Sequence, residues 1–387
     1  MYLLLLAIIY LSFISLGLPD STLGAAWPTI YAELGVPISY MGIITVIISL
    51  GTVLSSLLTD RAVARFGTRL VTAISIFLTA TALFGFSVSK SLVEFCLWGI
   101  PYGLGAGAID AALNNYVAMH YNSRHMSWLH CFWGVGTIIS PYIMSFALVN
   151  SGWQDGYKAV SAIQLCIGVV VILSYPLWKV NTGENKQEVE VKPVGIMGVM
   201  KIKGAIPVMI GFLSYCAAEI TATLWTSSYF EGVFNVTKDE AASLGSIVFI
   251  GITSGRFLAG FISEKLGDRA MIGLGGVIAT VGAGLTAIPI KEVAIVGFII
   301  YGLGCAPIYP SIMHSIPIRF GKERSQSIIG IQMASAYLGS TVAPAIFGVI
   351  ADFISIRLMP LYLMFFIILM LIVMGHADRQ SNNINLN

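Results

Sequence analysis

Charge is what this chain of 387 residues is shortest of: Asp, Glu, Lys and Arg together make up 10% of it, against about 25% in soluble domains. With 57% of residues hydrophobic, no soluble core could use so much apolar surface, and a solvated globular protein is excluded. The net charge of +2 is too small to point to nucleic acid. Cysteine is scarce too. Cys96, Cys131, Cys166, Cys216 and Cys305 form no CxxC and no Cys/His cluster, so the pattern for a metal site, a redox pair or a disulfide framework is missing. There is no P-loop, and glycine-rich runs such as GLGAGA lie within apolar helical stretches rather than after a strand. An enzyme is therefore not expected, nor a cofactor or metal. Met1 to Tyr10 has neither a basic n-region nor a small-residue cleavage site, and is read as part of a retained first span.

What is abundant is apolar sequence in lengths that cross a bilayer, about 20 residues or more. Twelve candidate spans fall near residues 3–31, 40–59, 70–89, 92–119, 127–149, 158–178, 204–232, 239–262, 270–289, 292–318, 326–350 and 357–375. The only long polar segment, 179–203, separates an N-terminal bundle, 1–178, from a C-terminal bundle with a short tail, 204–387. The expected fold is an all-α membrane protein with twelve transmembrane helices in two pseudo-symmetric six-helix bundles. Of 21 Lys and Arg, fifteen fall in loops after even-numbered spans, the linker and the tail, and five in the opposite loops. That bias places both termini and the linker in the cytoplasm of a multi-pass cell-membrane protein.

The halves repeat each other. Tyr102-Gly-Leu-Gly105 returns as Tyr301-Gly-Leu-Gly304, and Gly136 with Pro141 returns as Gly339 with Pro344. The turn from Asp60 to Arg69 returns, shortened, as Glu264 to Arg269. Three matches in the same order, each six spans apart, mark an internally repeated transporter.

Acids inside the spans carry the functional reading. A carboxylate at bilayer depth costs roughly 2.5 to 3.5 kcal/mol on insertion scales and so faces a cavity or a partner rather than lipid. Asp110 shares a helix face with Gly103, Gly107 and Asn114, and is read as a coupling or binding carboxylate. Asp20 follows Pro19 on a face with Gly17, Gly24 and Trp27, where proline and glycine loosen the helix around an acid. Glu219, a third candidate for proton coupling and solute binding, lies on a stripe with Tyr215, Thr223 and Thr226, and Tyr215 and Trp225 offer flat surface for a sugar ring. The bland reading of Glu219 is a pair with Arg256 that locks two helices. Arg256, the one basic residue inside a span, sits near the cytoplasmic end of the eighth, which favours snorkelling or joining the Glu264 turn instead. Gln332 is a candidate solute contact, whereas the stripe Thr45, Ser49, Thr52 and Ser56 reads more readily as helix packing. His130 is a candidate proton relay and His314 a weaker one. Asp60, Arg61, Arg65 and Arg69, with Glu264, Lys265 and Arg269 in the repeat, form a candidate cytoplasmic latch.

Two six-helix halves, the long linker and the turns GFISEKLGDR and DRAVARFGTR resemble the major facilitator superfamily over essentially the whole chain. The first turn departs from the superfamily's motif in having Ser56 where glycine is usual and extra residues between Arg61 and Gly67. Within that superfamily GLPDSTLGAAWP, GLGAGAIDAALNN, LHCFWGVGTIISP and YCAAEITATLWTSSY resemble the fucose permease branch. The resemblance implies a monomeric secondary transporter in which Asp20 and Asp110 take the places of two acids tied to sugar binding and coupling, with Asn114 at the matching spacing. The expected activity is proton-coupled symport of a sugar or sugar-like solute by alternating access, with sodium as the other coupling ion the branch contains. Two alternatives remain open at this level. Proton-coupled efflux is one, opposed by Ser140-Pro141 followed by Tyr142, Ile143, Met144 and Ser145 where paired glycines are usual. A non-transporting sensor with a carrier fold is the other, opposed by the short loops.

Overall fold

A computed structural model describes residues 2–37, 40–181 and 194–382. Every long element is helical, and nine continuous apolar segments among the described residues are long enough to cross a membrane. Three of the nine are too long to cross once. Helix α3, Met41–Val88, has 48 residues, about 72 Å at 1.5 Å per residue, more than twice a hydrocarbon core of about 30 Å. It turns at Gly67, whose φ of 74° and ψ of 157° leave the helical region. Helix α11, Ile247–Thr286, turns in the same way at Gly267, with φ 76° and ψ 160°. Both angles lie where a Cβ is costly, so glycine serves the same turn in each copy of the repeat. The third long segment, 322–379, breaks at a π turn, Ala351–Ser355, and a 3-10 turn, Ile356–Leu358. Counting both arms of each, the nine segments make twelve transmembrane helices, the expected number.

Shorter breaks fall at prolines and small residues. The first span is α1, Tyr2–Asp20, and α2, Thr22–Leu34, parted at Ser21 just after Pro19. The tenth is α12, Lys291–Cys305, and α13, Ile308–Phe320, parted at Ala306 and Pro307. The single spans are α4, Leu92–His120, α5, Ser123–Asn150, α6, Trp153–Leu173, and α9, Ala205–Phe234, while α14, Lys322–Ile350, and α15, Met359–Asn382, are the eleventh and twelfth. The segment expected to be a linker is partly helical. Helix α7, Tyr175–Asn181, runs into it and α8, Gly195–Met200, lies within it. Residues 182–193 of it lie outside the described residues. Helix α10, Lys238–Leu244, precedes α11 as a separate element, so the eighth span starts later than its apolar pattern implies.

By contact the described chain divides into two compact units. The first gathers the described residues within 1–116, 129–193 and 322–333, and the second those within 117–128, 194–321 and 334–387. In the first, α4 lies against the first arm of α3 through glycine. A Cβ on Gly103 would stand 2.2 Å from the Ile48 carbonyl oxygen, and one on Gly107 2.2 Å from that of Thr52. Ser55 and Ser56 donate across this seam to the Gly103 and Gly107 carbonyls at 3.4 and 3.3 Å. Thr45 and Thr52 donate to carbonyls of their own helix, so of the stripe's hydroxyls these two satisfy backbone and Ser56 joins helices. In the second unit a Cβ on Gly302 would stand 2.5 Å from the Val248 carbonyl oxygen of α11. The YGLG repeat is thus a repeat of helix crossings.

Candidate functional site

In the first unit α1, α4 and α5 converge on two carboxylates. The crossing of α1 and α5 is glycine against backbone: a Cβ on Gly17 would meet the Trp133 carbonyl oxygen at 2.1 Å, and one on Gly136 the Ile14 carbonyl oxygen at 2.3 Å. Gly17 lies one turn before Asp20, so this approach brings the Trp133 side chain to the acid where the first span breaks. Trp133 donates its indole N–H to Asp20 Oδ2 at 2.9 Å, and Tyr102 of α4 donates its hydroxyl to Oδ1 at 3.0 Å. Asp20 itself is exposed, and Tyr102 is buried.

Eight residues further along α4, about 12 Å by the helical rise, lies the second acid. Asn114 Nδ2 donates to Asp110 Oδ1 at 2.7 Å and to the Asp110 carbonyl at 3.0 Å, and Asn114 Oδ1 stands 3.0 Å from His130 Nε2. All three side chains are buried. His130 is one turn before Trp133 on α5, and Phe13 of α1 meets its ring edge-on at 5.5 Å. Asp20 is therefore held by one residue of α4 and one of α5, and Asp110 by Asn114 of α4, which His130 of α5 meets in turn; every partner named is neutral or, in His130, able to be neutral. Such a carboxylate can take up or lose a proton without stranding an opposite charge.

The second unit differs. Arg256 of α11 is 4% exposed and its Nη2 lies 3.0 Å from Glu219 Oε1 on α9. The arginine does not snorkel to the Glu264 turn, which its place in the eighth span favoured. The helix packing draws it inward, to the only form in which a buried guanidinium is tolerable, beside an anion. Tyr215, also on α9, is fully buried and donates to the Cys305 carbonyl at 3.0 Å. Trp225 donates to the Pro344 carbonyl at 3.1 Å, and Thr223 and Thr226 donate to carbonyls one turn back on α9. The polar stripe of this span is largely spent on helix contacts.

Two remaining solute candidates lie in the first unit. Trp27 of α2 is 2% exposed. Gln332 of α14 is fully buried, and neither its Oε1 nor its Nε2 has a hydrogen-bond partner among the described residues. An amide in that state costs on the order of 1–3 kcal/mol, a debt that a bound polar solute would cancel.

The latch candidates separate into those that hold something and those that face solvent. Asp60, 4% exposed, accepts from Ser327 Oγ at 2.8 Å and from the Arg61 backbone N–H at 2.7 Å. The Arg61 and Arg65 side chains are exposed, and Arg69 donates to the Ile172 carbonyl and lies 4.3 Å from the Tyr175 ring centre. In the second unit Glu264 accepts from Arg124 at 2.8 Å and Asn122 at 3.3 Å, Arg269 pairs with Asp378 at 2.9 Å, and Lys265 is exposed.

Sequence reasoning missed Tyr102 and Trp133 as partners of Asp20. Their polar tips were the available signal: a buried Tyr hydroxyl or Trp N–H needs an acceptor, and Asp20 was an acid in need of donors.

The family model described as Major Facilitator Superfamily matches residues 9–235 and 207–382. Bypass of stop codon protein 6 of Saccharomyces cerevisiae is 24% identical over 90% of this chain and 77% of its own length. The crystal structure of the Escherichia coli fucose:proton symporter FucP (N162A) superposes with a TM-score of 0.80 at 14% identity, over 97% of this chain and 99% of that one. The proton:xylose symporter XylE bound to 6-bromo-6-deoxy-D-glucose superposes at 0.77 with 13% identity, covering 95% and 93%. At such identities the likeness to FucP and XylE is one of fold. The family match runs nearly end to end over a chain whose twelve helices repeat six by six, and by it the chain belongs to the Major Facilitator Superfamily, a multi-pass membrane transporter of small molecules and not an enzyme.

Proposed function

We propose that this transporter is a proton-coupled symporter of a sugar or sugar-like polar solute, working as a monomer in the cell membrane by alternating access, with both termini cytoplasmic. The observation that carries the reading is the pair of carboxylate networks shared by α4 and α5, Asp20 with Tyr102 and Trp133, and Asp110 with Asn114 and His130. Donors of this kind recognise a carboxylate and a sugar hydroxyl alike, so protonation of the acid frees donors that a solute hydroxyl can engage in the same network. That the similar folds of FucP and XylE belong to proton-coupled sugar carriers supports the solute class. Sodium is the competing coupling ion, and uptake driven by a sodium gradient at equal pH would put it first.

In this reading Asp20 and Asp110 carry the coupling, and Trp27, Asn114 and Gln332 contact the solute. Within the second unit, Tyr215, Trp225 and Glu219 are the candidate solute contacts. Glu219 was expected to share the coupling, but it is committed to an ion pair with Arg256, so we assign it to solute binding or helix locking. Asp60 with Ser327, and Glu264 with Arg124, are the latch that must part when the site opens to the cytoplasm. The driving force is adequate: one proton crossing about 100 mV releases roughly 2.3 kcal/mol, enough for about fiftyfold accumulation.

The test begins with thermal-shift screening of purified protein against monosaccharides, polyols and amino acids at two pH values. The solute found is then used in proteoliposomes carrying wild type or Asp110→Asn. Loss of pH-driven uptake with counterflow retained supports the coupling role. Undiminished pH-driven uptake in the variant removes Asp110 from the mechanism.

A further inference from the structure

His314, in the second unit, lies two turns from the end of α13 and stands apart from the coupling networks. Both of its ring nitrogens face acceptors. Nδ1 is 2.7 Å from Asp268 Oδ2, just past the Gly267 turn of α11, and Nε2 is 3.0 Å from the backbone carbonyl of Tyr121 between α4 and α5. Neither a carboxylate nor a carbonyl donates a hydrogen bond. A neutral imidazole has one N–H and can satisfy one of them, leaving its other lone pair against an acceptor. The imidazolium donates at both nitrogens and makes both bonds.

The surroundings single out His314 as the cation for Asp268. Arg124 in the first turn of α5 is committed to Glu264, and Arg269 of α11 and Arg319 of α13 are both committed to Asp378 of α15. His125 meets the Tyr121 ring edge-on at 5.7 Å. Of the other helices packed on α13, α9 brings Glu219, held by Arg256, and the exposed Glu231, while the charges of α12, Lys291 and Glu292, sit at its far end. Oδ1 of Asp268 has no hydrogen-bond partner among the described residues. The side chains of His314 and Asp268 are only 13% and 10% exposed, so solvent screens the pair little.

We propose that protonated His314 is a clasp joining the end of α4 to α11 and α13 on the Lys/Arg-rich face of the carrier, and that loss of its proton loosens this contact. Opening of that face then rises with the pH bathing it. An ordinary imidazole titrates near pH 6.5, so the device works across the physiological range. The proposal rests on the reading of the chain as an alternating-access carrier with this face cytoplasmic.

Hydrogen exchange of the solute-free protein in nanodiscs tests it, with rates corrected for the intrinsic effect of pH. Between about pH 6 and about pH 8, protection of residues 117–128 should fall about tenfold in the wild type. H314Q, neutral throughout, should be weakly protected at both pH values, and H314K, charged throughout, strongly protected at both. Asp268→Asn should lose most of the response, whereas His125→Asn should keep it. Undiminished protection of α9 in the same samples shows that each variant is folded, and if H314Q fails there, H314K and Asp268→Asn decide. Equal protection of the wild type at both pH values, or a response that survives in the folded His314 and Asp268 variants, overturns the clasp. Because no solute is present, a failed sugar screen leaves the result standing, and flat protection removes the clasp even where sugar transport is demonstrated.

Discussion

Tyr102 and Tyr301 open the two copies of YGLG, and the glycines behind them make the same close crossings, Gly103 on the Ile48 carbonyl and Gly302 on that of Val248. What the two regions do with their acids is different. In the first unit Asp20 takes the Tyr102 hydroxyl and the Trp133 N–H, and Asp110 takes the Asn114 amide. In the second, Tyr301 is fully buried and Glu219 is held by Arg256. The repeat preserved how helices meet, because a glycine crossing admits few substitutes, while the side chains lining each half were left to diverge. An acid among neutral donors can change its protonation state at the expense of hydrogen bonds alone. An acid against a buried guanidinium cannot do so without leaving a desolvated cation, which is why coupling is assigned to one half and not to both.

The largest effect that would break this comparison is in stability. Glu219→Gln strands Arg256 and should destabilise the protein by about 3–5 kcal/mol, whereas Asp20→Asn should cost under about 1 kcal/mol. Thermal unfolding in detergent measures both, and equal losses would erase the distinction between the halves. Adding Arg256→Gln to Glu219→Gln should restore part of the loss, since the pair is removed together.

Next in size are the crossings. Gly103→Ala and Gly302→Ala each drive a Cβ into a carbonyl oxygen, at 2.2 and 2.5 Å, and should each cost about 1–3 kcal/mol. A loss at one position only would show that the two copies do not bear the same packing load. The smallest effect is the most specific. Tyr102→Phe removes one donor from Asp20 and should cost about 0.5–1.5 kcal/mol while lowering uptake severalfold, and Tyr301→Phe should leave uptake near wild type. Comparable uptake defects in the two variants would give the repeat a shared chemistry after all.

Much of this was legible beforehand. Twelve spans, the repeat and the turns at Gly67 and Gly267 follow from apolar run length and from glycine at matched positions, both local properties of the chain. The acids inside spans were legible for the same reason, since an ionised group in an apolar run is conspicuous wherever it folds. Their partners were not. Tyr102 is 82 positions from Asp20 and Trp133 is 113, and nothing near the acid in sequence distinguishes these aromatics from Trp98 or Trp128. Arg256 illustrates the same gap, as position along a span does not say which way a long side chain turns. The break of the 179–203 linker into helix was also hidden, because short helices owe their existence to what they pack on.

Composition and periodicity alone determined that the chain crosses a membrane about a dozen times and carries a few carboxylates where charge is expensive, because those consequences depend only on the solvent each stretch must meet. Which donor meets which acid, whether a buried charge is answered by a hydroxyl, an amide or a guanidinium, and that His314 lies between two acceptors were decided by the tertiary structure. Those contacts join residues far apart in the chain, and they exist only where glycine crossings bring particular helix faces within hydrogen-bond reach.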